Sequence, residues 1–243
     1  FRSTMGRFGA PDLSIDTKPD LTPVTEADRE AERVIRENLK RARPRDAIKG
    51  EEFGETGKGP RRWIIDPIDG TKNYVRGVPV WATLIGLVDG EDCVVGLVAA
   101  PALGRRWWAA KGAGAWTGRS LAKAEQIHVS KVGEVSDSSF SYSSIDGWRQ
   151  HGRGMSFLRL TSEVWRTRAY GDFWSYMLVA EGAVDAAAEP ELELYDMAAL
   201  VAIVTEAGGR FTSLEGEDGP WGGNALATNG RLHDAYLQRL ARD

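Results

Sequence analysis

Cysteine and histidine are scarce in this chain of 243 residues, which has one cysteine, Cys93, and three histidines. A single cysteine excludes an internal disulfide framework and fits a reducing compartment, so we expect a cytoplasmic protein. The same scarcity argues against a zinc site built from histidine and cysteine ligands.

Long apolar runs and long basic runs are also missing. No run approaches the ~20 residues of a transmembrane helix, and the N-terminus lacks the apolar core of a signal peptide, so we expect no membrane partner. The formal net charge is −4 and no basic cluster is present, which does not favour nucleic acid as a partner. The chain begins at Phe1 rather than at a methionine, so we expect native residues to precede it.

What the sequence does contain is an ordinary globular composition, 42% hydrophobic and 27% charged, in two halves with different patterns. After a helix that begins at the N-cap Thr25, the first half alternates apolar runs with turns, which predicts a meander of antiparallel hairpins. Beyond about residue 130, strands and helices alternate, as in an α/β layer. We therefore predict two sub-domains, an N-terminal one of residues 1–130 and a C-terminal one of residues 131–243.

The most informative stretch is W-I-I-D-P-I-D-G-T-K-N at residues 63–73. Its apolar start predicts a buried strand, and because Pro67 cannot donate to a sheet ladder, we expect the strand to end at Asp66. Asp66 and Asp69 then lie on the turn that follows, beside the backbone N–H groups of the Gly-Thr pair. Two carboxylates beside free backbone donors suit Mg²⁺ together with an anionic group such as phosphate.

Other acidic residues could join this pair, although each has a structural alternative. Asp28 lies three residues after Thr25, where it would complete a capping box, and local evidence favours that interpretation. Glu51 and Glu52 lie in a charged turn, and such turns are usually solvated. Asp196 stands where the N-cap of a predicted helix belongs. The aspartate pair itself could serve only to cap a turn.

Four groups of motifs occur in order along the chain. They are T-P-V-T-E-A-D at Thr22–Asp28, G-E-E at Gly50–Glu52, W-I-I-D-P-I-D-G-T-K-N-Y at Trp63–Tyr74, and Y-D-M-A-A at Tyr195–Ala199 with E-A-G-G at Glu206–Gly209. Together they resemble the inositol monophosphatase superfamily, from about Asp20 to Gly209. The resemblance implies an α/β fold layered α-β-α-β-α, a homodimer, and hydrolysis of a phosphate monoester with two or three Mg²⁺ ions.

The resemblance also implies a role for individual residues. The implied metal ligands are Glu51, Asp66, Asp69, Asp196 and the carbonyl oxygen of Ile68. Thr71, oriented by Asp28, would act with Glu51 to position and deprotonate the attacking water. The implied substrate contacts are Asp69, the N–H groups of Gly70 and Thr71 at the phosphate, and Glu189 at the alcohol half.

The chemistry of the residues agrees with this assignment. Two cations about 3.5–4 Å apart stabilise the entering and leaving oxygens of an in-line displacement and lower the pKa of bound water. Since no cysteine or histidine is placed as a nucleophile, direct attack by water is favoured over a covalent phosphoenzyme. A haloacid dehalogenase needs one residue between its aspartates, whereas Pro67 and Ile68 both separate Asp66 from Asp69 here.

The segment G-D-F-W-S-Y at Gly171–Tyr176 departs from the G-S-A-A common among inositol phosphatases. It resembles the histidinol-phosphate phosphatase branch, as does V-R-G-V-P-V-W-A at Val75–Ala82. Histidinol phosphate carries an ammonium and a protonatable imidazole, which suit a pocket edged by Asp172 and Glu189. Asp172 could alternatively be a helix N-cap.

The aromatic residues Trp174 and Tyr176 could stack on the imidazole ring or pack in the core, and the sequence leaves both open. We predict a Mg²⁺-dependent histidinol-phosphate phosphatase that acts on a small phosphorylated substrate. The alternatives are an inositol or broad-specificity sugar monophosphatase and a non-catalytic regulator on the same fold.

Overall fold

The structure is a computed structural model that describes residues 2–18 and 23–243. The first part of the chain contains α1 (Arg2–Arg7), β1 (Ile15–Thr17), β2 (Pro23–Thr25), α2 (Glu26–Ala42), β3 (Ala47–Gly50), β4 (Gly54–Thr56), β5 (Arg61–Asp69), α3 (Thr71–Val75), β6 (Ala82–Asp89), β7 (Asp92–Ala100), β8 (Arg105–Ala110), β9 (Ala115–Thr117) and β10 (Glu125–Ile127). The rest contains β11 (Ser139–Ser141), α4 (Asp146–Gln150), α5 (Gly154–Glu163), β12 (Arg166–Arg168), α6 (Asp172–Ala180), β13 (Ala186–Glu189), α7 (Leu194–Glu206), β14 (Arg210–Thr212), β15 (Ala225–Thr228) and α8 (His233–Arg239).

Two sheets organise these elements. The larger has the strand order β10-β9-β8-β7-β6-β5-β3-β4 and the smaller has the order β12-β11-β13-β15-β14, while β1 and β2 form a separate pair. The larger sheet is antiparallel except where β3 runs parallel to β5. The predicted meander of hairpins is therefore confirmed from β6 to β10.

Helix α7 lies against the larger sheet, and two glycines make room for it. A Cβ on Gly96 would lie 2.2 Å from the carbonyl oxygen of Ala199, and one on Gly86 would lie 2.9 Å from the Cβ of Ala198. Helix α6 contacts α7 and also β13 and β15 of the smaller sheet, on which α8 packs in turn. The predicted layered α/β class is confirmed, and the close approach of α7 brings its first turn to β5.

The predicted boundary near residue 130 falls between β10 and β11. The largest hydrophobic cluster nevertheless includes residues from both sides, such as Leu84 and Trp107 before the boundary and Met177 and Phe211 after it. The division into residues 1–130 and 131–243 stays a prediction.

Strand β5 runs through Pro67 to Asp69, so the expectation that it ends at Asp66 is wrong. Its pairing with β6 is regular as far as Asp66, and the register then shifts before Asp69. Pro67 lies within this irregular segment, where its carbonyl accepts a hydrogen bond from Thr83 Oγ1 at 2.8 Å. An irregularity of this kind tolerates the missing N–H of proline within a sheet.

Two smaller expectations also need correction. The single helix expected over residues 147–161 is divided into α4 and α5, because Gly152 adopts a φ of +67° that ends the first helix. The loop expected over residues 11–23 contains β1, which pairs with β2. Pro19, Asp20, Leu21 and Thr22, which include the start of the first family motif, lie outside the described residues.

Candidate active site

Three aspartates from two distant parts of the chain meet, two at the end of β5 and one in the first turn of α7. Asp66, Asp69 and Asp196 each offer a carboxylate oxygen, and these oxygens lie within 4.8 Å of one another. Asp66 is 2% exposed, and its Oδ1 has no hydrogen-bond partner among the described residues. A buried carboxylate oxygen without a donor is costly unless a cation neutralises it.

The crowding of these carboxylates changes their protonation. Burial, and after it the charge of Glu51, raises the pKa of Asp66 well above its usual range. Burial and then the charge of Asp172 do the same to the pKa of Asp69. Burial raises the pKa of Asp196 to about 7. An all-oxygen set of this kind fits a hard divalent cation such as Mg²⁺, which would reverse these shifts.

Glu51 lies in the turn between β3 and β4, and its N–H donates to the carbonyl of Ile65 at 3.1 Å. This bond ties the turn to β5 and places Glu51 close to Asp66. Lys18 reaches the same turn, with its Nζ 2.6 Å from Oε1 of both Glu51 and Glu52. The charged turn is therefore not a solvated loop, because its acids are half-buried and paired.

Thr71 begins α3 beside the aspartate cluster. Its Oγ1 lies 2.9 Å from the carbonyl oxygen of Ile68 and 3.3 Å from Oδ1 of Asp28, so its proton has two acceptors within reach. The other Asp28 oxygen accepts from the N–H and hydroxyl of Thr25, at 2.8 and 2.6 Å, and the predicted capping box is confirmed. Asp28 thus caps α2 and faces Thr71 at the same time.

Gly70 joins β5 to α3 in a left-handed conformation, with a φ of +82°. A Cβ at this position would lie 3.0 Å from the carbonyl oxygen of Val80 and 3.3 Å from Oδ2 of Asp172, so only glycine fits easily. The N–H groups at the start of α3 have no acceptor within the helix. They are placed directly after Asp69, where they could receive an anionic oxygen.

Asp172 is the first residue of α6 and has a φ of +48°, a backbone conformation that non-glycine residues rarely adopt. Gly171 occupies the N-cap position, so the alternative that Asp172 is the helix N-cap is wrong. The Asp172 carboxylate accepts a hydrogen bond from Nδ2 of Asn73 at 2.8 Å. The backbone N–H of Asp172 donates to Oγ of Ser143 at 2.9 Å. Such strain concentrates at functional sites.

Helix α6 also meets the aspartate cluster. The N–H of Phe173 donates to Oδ2 of Asp69 at 2.7 Å, which links the two halves of the site. Sequence reasoning missed Asn73 and Ser143. Asn73 belongs to the quoted motif and could have been found there, whereas Ser143 lies in a loop without a recognisable signal.

Glu189 ends β13 close to Asp172. Its Oε1 and the hydroxyl of Tyr176 are buried and neither makes a well-formed hydrogen bond among the residues described, although Tyr176 and Ser143 both lie near the Glu189 carboxylate. Burial, and then the charge of Asp172, raises the pKa of Glu189 to about 8. Burial also raises the pKa of Asp172 to about 6, against the opposing charge of Lys72. Glu189 and Asp172 are thus two partly buried acids close together. Such a pair suits a ligand that carries positive charge.

The aromatic residues of α6 take different places. Tyr176 is buried in the largest hydrophobic cluster and packs on Phe211 with ring centroids 5.6 Å apart. Trp174 is partly buried and meets Tyr170 edge-to-face at 5.5 Å. Stacking of either ring on a substrate stays a prediction.

The sequence profile of the inositol monophosphatase family matches residues 4–242. This chain belongs to the inositol monophosphatase family. It is 66% identical to the histidinol-phosphatase of Streptomyces coelicolor, over 98% of this chain and 91% of that protein. It is 58% identical to the histidinol-phosphatase of Mycobacterium tuberculosis, over 98% and 92% of the two chains.

Solved structures agree with the family assignment. The IMPase of Thermotoga maritima superposes with a TM-score of 0.87 at 31% identity, over 98% of this chain and 91% of that one. The extragenic suppressor protein suhB of Bartonella henselae superposes with a TM-score of 0.89 at 28% identity, over 99% and 93%. The predicted family and fold are confirmed. Among the described residues, no helix is long and apolar enough to cross a membrane.

Proposed function

We propose that this protein is a Mg²⁺-dependent phosphatase that converts L-histidinol phosphate and water into L-histidinol and phosphate, as a step of histidine biosynthesis in the cytoplasm. One observation carries the proposal. The aspartate cluster that fits a divalent cation adjoins a second acidic pair, Asp172 and Glu189, in a chain closely similar to two histidinol-phosphatases.

The proposed metal ligands are Glu51, Asp66, Asp69, Asp196 and the carbonyl oxygen of Ile68. Asp66 supports this assignment most strongly, because its buried and unpaired oxygen needs a positive partner. Two or three Mg²⁺ ions bound there would supply an activated water and would neutralise charge on the phosphate oxygens.

The chain's own groups would then orient the phosphate and move a proton. The N–H groups of Gly70 and Thr71 would hold phosphate oxygens at the start of α3. Thr71 Oγ1 lies 3.3 Å from Asp28, so Asp28 orients the hydroxyl that positions the attacking water. Burial raises the pKa of Asp28, which makes it a better proton acceptor. Glu51, from the opposite side, would take the proton of that water.

The alcohol half of the substrate would lie against Asp172 and Glu189. Burial and the charge of Asp172 raise the cost of ionising Glu189, and a bound ammonium or imidazolium would offset that cost. A neutral polyol gains nothing from two such charges, so the acidic pair favours a cationic alcohol over inositol. The proposed selectivity therefore arises outside the metal cluster.

We also propose a homodimer. Met155, Leu158 and Trp165 follow one another along and after α5, and each is more than half exposed. A contiguous apolar patch made of such exposed side chains would be typical of a protein–protein contact. Light scattering after gel filtration measures the assembly state, and a monomer at micromolar concentration would contradict this part of the proposal.

Steady-state kinetics on histidinol phosphate, inositol 1-phosphate and fructose 1,6-bisphosphate tests the function, with EDTA as the metal control. We expect the highest kcat/KM for histidinol phosphate and loss of activity in EDTA that excess Mg²⁺ restores. A higher kcat/KM for inositol 1-phosphate would contradict the proposed substrate but not the proposed phosphatase activity. No turnover of any phosphate ester with Mg²⁺ would favour the non-catalytic alternative.

A further inference from the structure

A buried ion pair on α2 holds the turn that carries Glu51. Glu32 is 0% exposed and Arg36 is 6% exposed, and Nε of Arg36 lies 2.6 Å from Oε1 of Glu32. Neither residue belongs to the proposed ligands or substrate contacts. A buried ion pair gives no general gain in stability over an apolar pair, so its presence points to a positional role.

The two side chains bind the turn between β3 and β4 through groups of opposite polarity. Glu32 accepts from the N–H of Glu52 at 2.7 Å and from the N–H of Phe53 at 3.3 Å. Arg36 donates to Oγ1 of Thr56 at 3.0 Å and to the carbonyl of Gly54. Glu32 therefore holds N–H groups of the turn, and Arg36 holds oxygen atoms of β4, which follows the turn directly.

Gly50 leaves the space in which the Glu32 carboxylate approaches the backbone of the turn. A Cβ at this position would lie 1.9 Å from Oε1 of Glu32, so any larger residue displaces the acid. Gly50 does not have a positive φ, so space rather than backbone conformation accounts for the glycine. The Glu32 carboxylate thus lies against the residue directly before Glu51 and bonds to the residue directly after it.

We propose that Glu32 and Arg36 are positioning residues that fix the turn of residues 50–54 so that the Glu51 carboxylate faces Asp66. The inference rests on the proposed role of Glu51 as a metal ligand. Groups that hold a ligand in place are worth roughly 10- to 100-fold in metal affinity. Without the ion pair, the turn has to be ordered each time that a metal binds.

The test compares Glu32→Gln with Glu37→Gln, a matched control on the same helix whose carboxylate pairs with Arg33 in solvent. Binding of Mn²⁺ to the substrate-free protein is measured by electron paramagnetic resonance, alongside the Mg²⁺ concentration that gives half-maximal activity. We expect Glu32→Gln to weaken Mn²⁺ binding roughly 10- to 100-fold and to raise that Mg²⁺ concentration similarly. KM for histidinol phosphate at saturating Mg²⁺ stays close to its wild-type value, and Glu37→Gln changes neither metal measurement.

A second variant separates positioning from folding, since Glu32→Gln leaves Arg36 buried without its counter-charge. The double substitution Glu32→Leu with Arg36→Met removes both charges, and melting in EDTA verifies that it folds. We expect it to bind Mn²⁺ as weakly as Glu32→Gln does. Wild-type Mn²⁺ affinity in either folded variant would overturn the inference.

The outcome for Glu51 itself separates this inference from the proposed function. If Glu51→Gln binds Mn²⁺ like wild type, the proposed ligand set is wrong and the positioning role fails with it. If Glu51→Gln loses binding while the Glu32 variants keep it, only the positioning role is overturned.

Discussion

Two acidic parts of the site are assembled differently. The proposed metal side consists of Asp66, Asp69 and Asp196, and the proposed alcohol side consists of Asp172 and Glu189. On the metal side, three carboxylate oxygens share one small volume, within 4.8 Å of one another. On the alcohol side, Asn73 and Ser143 bind Asp172 at a strained backbone position, while the buried Oε1 of Glu189 lacks a well-formed hydrogen bond among the described residues. Concentrated charge suits a small divalent ion, and distributed charge suits an organic cation.

The largest effect is expected from Asp66→Asn on the metal side. Because the asparagine cannot supply the anionic oxygen that a metal needs, we expect kcat to fall by about 10³-fold or more, ~4 kcal/mol of transition-state stabilisation. The melting temperature in EDTA should be equal or higher, since the like-charge crowding around Asp66 is relieved. Steady-state kinetics measures kcat, and calorimetry measures the melting temperature.

Asp234→Asn, at an exposed position of α8, is a matched control for this experiment and should leave kcat unchanged. If Asp66→Asn kept nearly native kcat, the metal side would lose its proposed role.

Glu189→Gln tests the alcohol side. We expect KM for histidinol phosphate to rise by about 30-fold, ~2 kcal/mol, because a buried charge that pairs with the substrate cation is lost. Turnover of inositol 1-phosphate should change little, since that substrate has no cation. An equal loss on both substrates would show that the two sides do not act independently.

The metal-free protein should lose stability as pH rises. Burial raises the pKa of Asp196 to about 7 and that of Glu189 to about 8, above their unfolded values near 4. The folded state therefore binds more protons than the unfolded state between about pH 4 and pH 8, so the contribution to stability is fully present below this window and lost as pH rises through it.

Thermal melting in EDTA at several pH values checks this dependence, and excess Mg²⁺ should largely remove it by neutralising the aspartates. A melting temperature in EDTA that rises steadily between about pH 5 and pH 8 would contradict the expected sign.

The smallest effect is expected from Ser143→Ala. The substitution removes the acceptor for the N–H of Asp172, a loss of about 1 kcal/mol, and should raise KM for histidinol phosphate by about fivefold. Ser144→Ala, at the exposed neighbouring position, is the control. An unchanged KM for Ser143→Ala would indicate that the strained conformation of Asp172 is maintained by other contacts.

Local sequence rules predicted the elements whose causes are local. The capping box of Thr25 and Asp28 and the hairpin of β6 and β7 follow from neighbouring residues, and both are confirmed. The end of β5 was mispredicted, because the rule for proline does not foresee an irregular register that accommodates Pro67.

The meeting of Asp66 with Asp196 depends on how closely α7 approaches the sheet, at Gly86 and Gly96, and no local pattern reveals that distance. Only the family resemblance placed these acids together in advance. The contacts of Lys18 with Glu51 and of Ser143 with Asp172 join segments far apart in the chain, so they required the structure.

Glu51, Asp66, Asp69 and Asp196 are proposed to hold divalent ions against a phosphate ester. The most direct measurement is anomalous diffraction from crystals grown with Mn²⁺ and inorganic phosphate. We expect at least two Mn²⁺ peaks among these carboxylates, with phosphate beside the N–H groups of Gly70 and Thr71. Mn²⁺-supported activity in solution, together with crystals that show no peak at these carboxylates, would contradict it.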